Sequence, residues 1–263
     1  MFKKALFAFC LLALTAVPRA HALPGLDIDL SVGTANRTPS GTVEVGGGGS
    51  TPTSANLKDD LNLGDHADLV GQLKVKHAIP FIPNFYINYL PMSFSGDKTG
   101  TSNITYGGQT FQANTLLHTE LTLNAVDVGL FYDIPLIKTA TAGIIDPEIG
   151  LNVRSLSFSG KLTGTVGGVA NTTVEKTASI PVPMLYIGLG VYPIHLLSFN
   201  AQYKALSLGG NSITEWGVEM GIHPMPVLYL ALGYSTQNIT LDTDNIKTSI
   251  GFSGPYAAIG ASF

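Results

Sequence analysis

Ile250-Gly-Phe-Ser-Gly-Pro-Tyr-Ala-Ala-Ile-Gly-Ala-Ser-Phe263 ends the sequence on a bare aromatic ring. Steps of two back from Phe263 place Ala261, Ile259 and Ala257 on one face and Ser262, Gly260, Ala258 and Tyr256 on the other. An apolar or small face opposite a small or polar one, closed by an aromatic residue that can anchor at a membrane interface, is the pattern of the last strand of a bacterial outer-membrane barrel. An edge strand of a soluble sheet could end the same way, so the remainder of the sequence has to decide.

At the other end, Lys3-Lys4 precede the apolar run Ala5 to Val17, and Ala20-His21-Ala22 is an A-x-A cleavage pattern. These features predict a signal peptide over residues 1–22, cut after Ala22, and a single domain over 23–263. The apolar run stops at Pro18-Arg19, short of the roughly 20 residues a membrane-spanning helix needs. Cys10, the one cysteine, lies inside that run, so the exported chain has no disulfide to staple it. Removing Lys3, Lys4 and Arg19 leaves 11 basic against 18 acidic side chains, a formal charge of −7, which argues against nucleic-acid binding.

Charged residues make up 12% of the chain, against roughly 25% in soluble domains. So little charge would leave a solvated surface poorly covered, whereas a wall facing lipid needs none. The most apolar later stretch, Ile180 to Phe199, carries Pro181, Pro183, Pro193, Gly188 and Gly190, a poor composition for a helix. A closed barrel is the other backbone that crosses a bilayer.

Period-two alternation, the mark of half-buried strands, recurs throughout. Leu26, Ile28, Leu30 and Val32 alternate with Asp27, Asp29 and Ser31; Leu73 and Val75 alternate with Gln72, Lys74 and Lys76. Ile149, Leu151 and Val153 oppose Asp146, Glu148, Asn152 and Arg154. The same pattern covers Phe199 to Lys204, Glu215 to Ile222 and Leu228 to Ser235. In Leu117 to Tyr132 the apolar phase slips near Ala125-Val126, which predicts a β-bulge. The expected fold is all-β: a single up-and-down antiparallel transmembrane β-barrel of about ten strands, with eight as the alternative. Pro-rich connections such as Ile79 to Asn84 and His223 to Pro226 are short, while Thr34 to Ala67, Gly96 to Asn114 and Ser157 to Thr177 read as long polar loops on the opposite side. A soluble lipocalin-like barrel would share the alternation but reverse its sign, and parity does not tell which face is outside.

Asn56-Leu-Lys-Asp-Asp-Leu-Asn-Leu-Gly-Asp65 resembles the D-L-K-D-D-L-G-L-G-D block of a family of small proteobacterial outer-membrane β-barrel proteins of unassigned function. Ile79 to Asn84, Leu241 to Ile246 and Ser253-Gly-Pro-Tyr256 with Phe263 are similar to that family too, so the resemblance covers essentially the whole exported chain. It departs at Asn62, where the family has Gly, and at Ser253, where it has Asp. The resemblance implies a fold and a Gram-negative outer-membrane location; it carries over no catalytic residue and no cofactor.

Asp59, Asp60, Asp65, His66 and Asp68 are the residue types of the Asp and Asp/His pairs of omptin proteases. Here they share one loop, whereas omptin pairs come from separate strands. A capping role is expected instead, with Asn56 as N-cap, Asp59 at the third position, and Leu57, Leu61 and Leu63 packed inward. His118 has no serine placed beside it by sequence. No enzymatic activity and no metal or cofactor site is therefore expected.

The polar face holds the acids Asp27, Asp29, Glu120, Asp127, Asp146, Glu148, Glu215 and Glu219 and the bases Lys74, Lys76, Arg154 and Lys204. A barrel of about ten strands is narrow enough for these side chains to interlock across the lumen. The expected role is structural, surface or ligand-binding, with a narrow cation-favouring channel as the alternative and a barrel enzyme acting on lipid or peptide a more distant one. The expected partners are outer-membrane lipid and, through the last strand and Phe263, the barrel-assembly machinery.

Overall fold

The computed structural model describes residues 25–47, 49, 51–79, 81–242 and 246–263; the expected signal sequence lies outside them. The described strands are β1 (Leu26–Val45), β2 (Ala55–Asn56), β3 (His66–His77), β4 (Asn84–Thr99), β5 (Ile104–Tyr106), β6 (Gln109–Phe111), β7 (Leu116–Asp133), β8 (Ile145–Val166), β9 (Val169–Ile194), β10 (Leu197–Leu208), β11 (Asn211–Ile222), β12 (Leu228–Asp242) and β13 (Ile246–Ser262), with one short helix, α1 (Pro135–Ala140). β1 pairs with β3 on one side and β13 on the other, and the ring runs on through β4, β7, β8, β9, β10, β11 and β12, every neighbour antiparallel. The fold is a closed ten-stranded up-and-down barrel, not the eight-stranded alternative. No described helix is long and apolar enough to cross a membrane.

The wall changes character partway up. In its lower part, nearer the termini, apolar side chains point outward and stay exposed: Leu30, Ile87, Val128, Leu130, Ile149, Leu151, Leu185, Ile187, Val218, Leu230, Leu232 and Ile259. A continuous apolar belt of this size is foreign to a soluble monomer and fits contact with hydrocarbon. Tyr89, Tyr203, Trp216 and Tyr234 rim it above, with Trp216 and Tyr234 rings 6.1 Å apart, and Phe85, Tyr132 and Phe199 lie below. Amphipathic rings at both borders of an apolar band mark the two interfaces of a bilayer. The soluble-barrel reading therefore has the wrong sign.

Above the belt the faces exchange roles. On β8, Asp146, Glu148, Asn152 and Arg154 point inward below, and Leu156, Phe158 and Leu162 take the same parity above, while Ser155, Ser157, Ser159 and Lys161 now face out. On β7, Leu117, Leu121, Leu123 and Ala125 are buried and Val126, Val128 and Leu130 are exposed. The expected bulge at Ala125-Val126 is absent: β7 runs one-to-one against β4 from Asn84↔Phe131 to Thr99↔Leu116 and unbroken against β8. The phase slip is a change of solvent, not of register. Lipid surrounds the lower wall and water the upper, so the upper barrel holds an apolar core in which Met92, Phe94, Leu123, Leu156, Met184, Ile239 and Phe252 are buried together.

That upper wall accounts for most of the expected long loops. Thr34–Val45, much of Ser157–Thr177 and the start of Gly96–Asn114 are strand, so the barrel rises beyond the belt. Two upper connections are two-residue turns, Gly167-Gly168 (φ +57° and +82°) and Gly209-Gly210 (φ +58° and +85°), whose paired positive φ values match the twist of a tight hairpin. The remaining part of the first loop folds inward as a strap. Ala55, Leu57, Leu61 and Leu63 are buried in the upper core. Asn56 Oδ1 accepts the backbone N–H groups of Lys58 and Asp59, each at 2.9 Å. Asp60, rather than the expected Asp59, returns the favour by accepting the Asn56 N–H at 2.8 Å, and residues 57–61 form turns, not a helix. Asn62 sits at φ 52°, a left-handed conformation that glycine and asparagine tolerate best, so its exchange with the family's Gly keeps the turn.

Candidate functional site

The polar lumen of the lower barrel is closed at its top by side chains from four strands. Asp127 of β7, Arg154 of β8, Lys204 of β10 and Glu215 of β11 alternate inward on their strands and meet at the barrel's waist, just under the apolar core. Arg154 Nε and Nη2 donate to Asp127 Oδ1 and Oδ2 at 2.7 and 2.8 Å, and Nη2 also reaches Glu215 Oε2 at 2.5 Å. Lys204 Nζ donates to Asp127 Oδ2 at 2.7 Å and lies 3.2 Å from Glu215 Oε1. Asp127, Arg154 and Lys204 have no side-chain exposure at all. Two cations and two anions cancel, which is how buried charge becomes tolerable.

A second network lies lower, on β3, β7, β8 and the α1 turn. Lys74 Nζ donates to both Glu148 oxygens at 2.8 Å; Lys76 binds Glu148, Asp146 and Asp133 at 2.6, 2.8 and 3.0 Å; Lys138 of α1 binds Asp146 at 2.9 Å. Tyr186 donates its hydroxyl to Glu148 Oε2 at 2.7 Å. Asp133, Asp146 and Glu148 offer oxygens within 4.8 Å of one another, a spacing a metal could use, but three ammonium groups already neutralise them. The Phe131 ring under Lys74 and Lys76, 4.9 and 5.7 Å away, adds cation–π contact. Tyr86 lies flat over its cross-strand partner Gly129, where a Cβ would come within 2.1 Å of the ring.

The opposite wall is different. Asp29 takes hydroxyl bonds from Tyr229 at 2.6 Å and Ser262 at 2.7 Å, and Glu219 takes bonds from Tyr256 at 3.1 Å and Asn200 at 3.3 Å. Among the described residues neither carboxylate, nor Asp27 beside them, has an ion-pair partner. Between these two walls, under the waist, is a cavity of about 470 Å³ that reaches the lower turns at Gly143 and His223. Ser198 Oγ and His223 Nε2 are 2.9 Å apart at its mouth, a pair the sequence did not reveal because it joins two strand ends. The His223 ring lies tilted 5.3 Å from that of Tyr229, and Asp29 binds that phenol, not the imidazole, so the relay of a hydrolytic triad is not assembled.

Of the residues expected inside, Asp27, Asp29, Lys74, Lys76, Asp127, Asp146, Glu148, Arg154, Lys204, Glu215 and Glu219 are placed in the lower lumen; Glu120 is not. It lies above the belt, on the outer surface, because the faces have already exchanged there. Asp133, Lys138 and Arg37 enter the lumen unforeseen. Asp133 was legible from its parity with Asp127, but Arg37 fell in a stretch read as loop and Lys138 in a turn. The Asp and His residues of the strap and its neighbour serve structure: Asp65 pairs with Lys58 at 3.6 Å, and Asp68 accepts the Ser93 N–H at 2.9 Å and lies 3.7 Å from His66.

Glu120 instead belongs to a surface ladder with its cross-strand partners, Asp97–His118–Glu120–Lys161. His118 Nδ1 is 2.8 Å from Asp97 Oδ1, and Lys161 donates to Glu120 at 2.8 Å. The hydrogen bond to Asp97 holds the imidazole above its ordinary pKa, and the bond from Lys161 holds Glu120 below its own. A histidine raised on folding stabilises below its unfolded pKa of about 6.5 and loses that contribution as pH rises through the folded value. Histidine-selective NMR should show His118 titrating above about 6.5, and Asp97→Asn should bring it back; an unshifted His118 would mean the pair does not form.

No family model and no curated protein matches the chain. Solved structures do. The outer membrane protease OmpT from Escherichia coli is 9% identical, with 95% of this chain and 100% of that chain covered at a TM-score of 0.53. Ail of Yersinia pestis is 9% identical over 91% of this chain and 99% of that one, TM-score 0.38. The translocator domain of the autotransporter NalP from Neisseria meningitidis is 11% identical over 99% and 97%, TM-score 0.38. The fold is that of the outer-membrane barrels.

Proposed function

We propose that this chain is an integral protein of the bacterial outer membrane, exported by a signal peptide ending at Ala22 and inserted by the barrel-assembly machinery through its last strand and Phe263. By the usual topology of such barrels the lower turns and both termini face the periplasm. It is a non-conducting, non-enzymatic barrel that offers the periplasm a blind polar chamber able to hold a small ligand. One observation carries this reading: the lumen is divided. The chamber opens downward, while the waist quartet, the apolar core and the inserted strap fill the barrel above it. An ion crossing from chamber to exterior would have to leave paired charges for an apolar interior, at a cost of many kcal/mol.

The refolded protein in a planar bilayer should therefore show no unitary conductance, and a cysteine introduced at Asn200 should react with a water-soluble maleimide only from the periplasmic side. Steady open-channel currents would favour the cation-channel reading. Labelling of Asn200→Cys from the outer side would do the same.

A further inference from the structure

The chamber's polar groups do not complete one another. Arg37 of β1 is 8% exposed, lines the chamber's roof, and among the described residues bonds only the Pro91 carbonyl, at 3.3 Å, with no carboxylate in ion-pair contact. Gln237 of β12, 6% exposed, lines the same roof, and its Nε2 has no acceptor. A buried amide donor left unpaired is costly, and a buried guanidinium short of acceptors more so. Gln237 Nε2 lacks an acceptor altogether, and Arg37 feels the Glu215 and Asp68 carboxylates only at a distance, so its guanidinium has room for a closer one. Nearer the mouth the need is reversed: Glu219 and Asp29, within electrostatic reach of each other, are held by hydroxyls and an amide, and among the described residues no cation is in ion-pair contact with either, Lys74 acting on Glu219 only at longer range.

We propose that the chamber binds a small zwitterion, its carboxylate at Arg37 and Gln237 and its ammonium between Glu219 and Asp29. The inference rests on the reading of the chamber as a ligand site. Register sets the scale: Gln237 is level with Glu215, and Glu219 lies four residues below on β11, roughly 13 Å of strand, less the reach of the two side chains. An ω-amino acid of about six carbons fits that separation, which excludes compact zwitterions such as glycine. Between the two poles β11 and β12 present the paired residues Gly217 and Ser235, small enough to leave room for a short aliphatic linker.

The test uses the full-length barrel in lipid nanodiscs, titrated calorimetrically with 6-aminohexanoate, hexylamine, hexanoate and glycine. 6-Aminohexanoate should bind, and the other three more weakly by about tenfold or more, each lacking one pole or the span. Gln237→Leu, which removes no charge, should weaken 6-aminohexanoate about tenfold and leave hexylamine unchanged. Glu219→Gln should weaken both, and heat-modifiable gel mobility reports whether each variant is folded. Hexylamine binding as tightly as 6-aminohexanoate, or folded Gln237→Leu binding it like wild type, would overturn the zwitterion. Absence of binding by all four probes would overturn it too, while the periplasmic labelling of Asn200→Cys decides separately whether the chamber is open.

Discussion

Arg154→Met should destabilise the barrel by about 3–5 kcal/mol, measured by urea titration in lipid vesicles. Arg154 has no exposure, and its fork spans Asp127 and Glu215. Without it, Lys204 alone faces two buried carboxylates, and one of them must take up a proton or draw water into the waist. Methionine fills similar volume, so the loss reports charge and not a cavity. Removing Asp127 as well, in Arg154→Met with Asp127→Leu, leaves the Lys204–Glu215 pair balanced and should recover much of the loss, since buried ion pairs are often replaceable by apolar groups. A single-variant loss under about 1 kcal/mol would show that the waist is already wet.

Leu151→Arg should cost about 2–4 kcal/mol under the same conditions, and Ser157→Arg, six residues further along the same outward face of β8, should change stability by no more than about 0.5 kcal/mol. Leu151 is 67% exposed in the middle of the apolar belt, where its surroundings are hydrocarbon; Ser157 is equally outward but above the belt. The two arginines have the same chemistry and parity, so the contrast isolates the surrounding medium. Equal costs at both sites would erase the boundary drawn between lipid and water.

Much of this barrel is legible in its sequence. Alternation in the segments around Asp27, Lys74, Glu148, Lys204, Glu215 and Phe263 gives the strands and most inward charges but leaves eight or ten strands open, because parity is a geometric property of an extended chain and not of the ring it closes. Parity does not say what each face meets. The sequence from Leu117 to Tyr132 keeps perfect register while its apolar face crosses from inside to outside, so a change of medium imitates a bulge and sends Glu120 to the wrong compartment. The same blindness hid Arg37, which follows the crossover on β1 in a stretch polar enough to pass for a loop. The Ser198–His223 contact and the Lys138 bridge are products of turns, where no period applies. The strap was readable from Asn56 and its leucines, although its carboxylate was misplaced by one residue, because a run of two aspartates offers two acceptors and only backbone geometry chooses between them.

The seam between the first and last strands has a kinetic meaning. β1 and β13 pair from Asp29↔Ser262 to Val45↔Ile246, and below them Ile28 and Phe263 exchange both backbone bonds, at 3.0 and 2.9 Å. These partners are more than two hundred positions apart, whereas every other junction in the ring joins strands that follow one another along the chain or are separated by only the short β2 or β5 and β6. Hairpins can zip one after another with short loop closures, but the ring gains its last row of bonds only after all of them stand, and until then two strand edges remain open to any passing partner. Closure is thus the late, entropically steep event of folding, and the rate at which the ends find each other sets how long the molecule is exposed to mispairing.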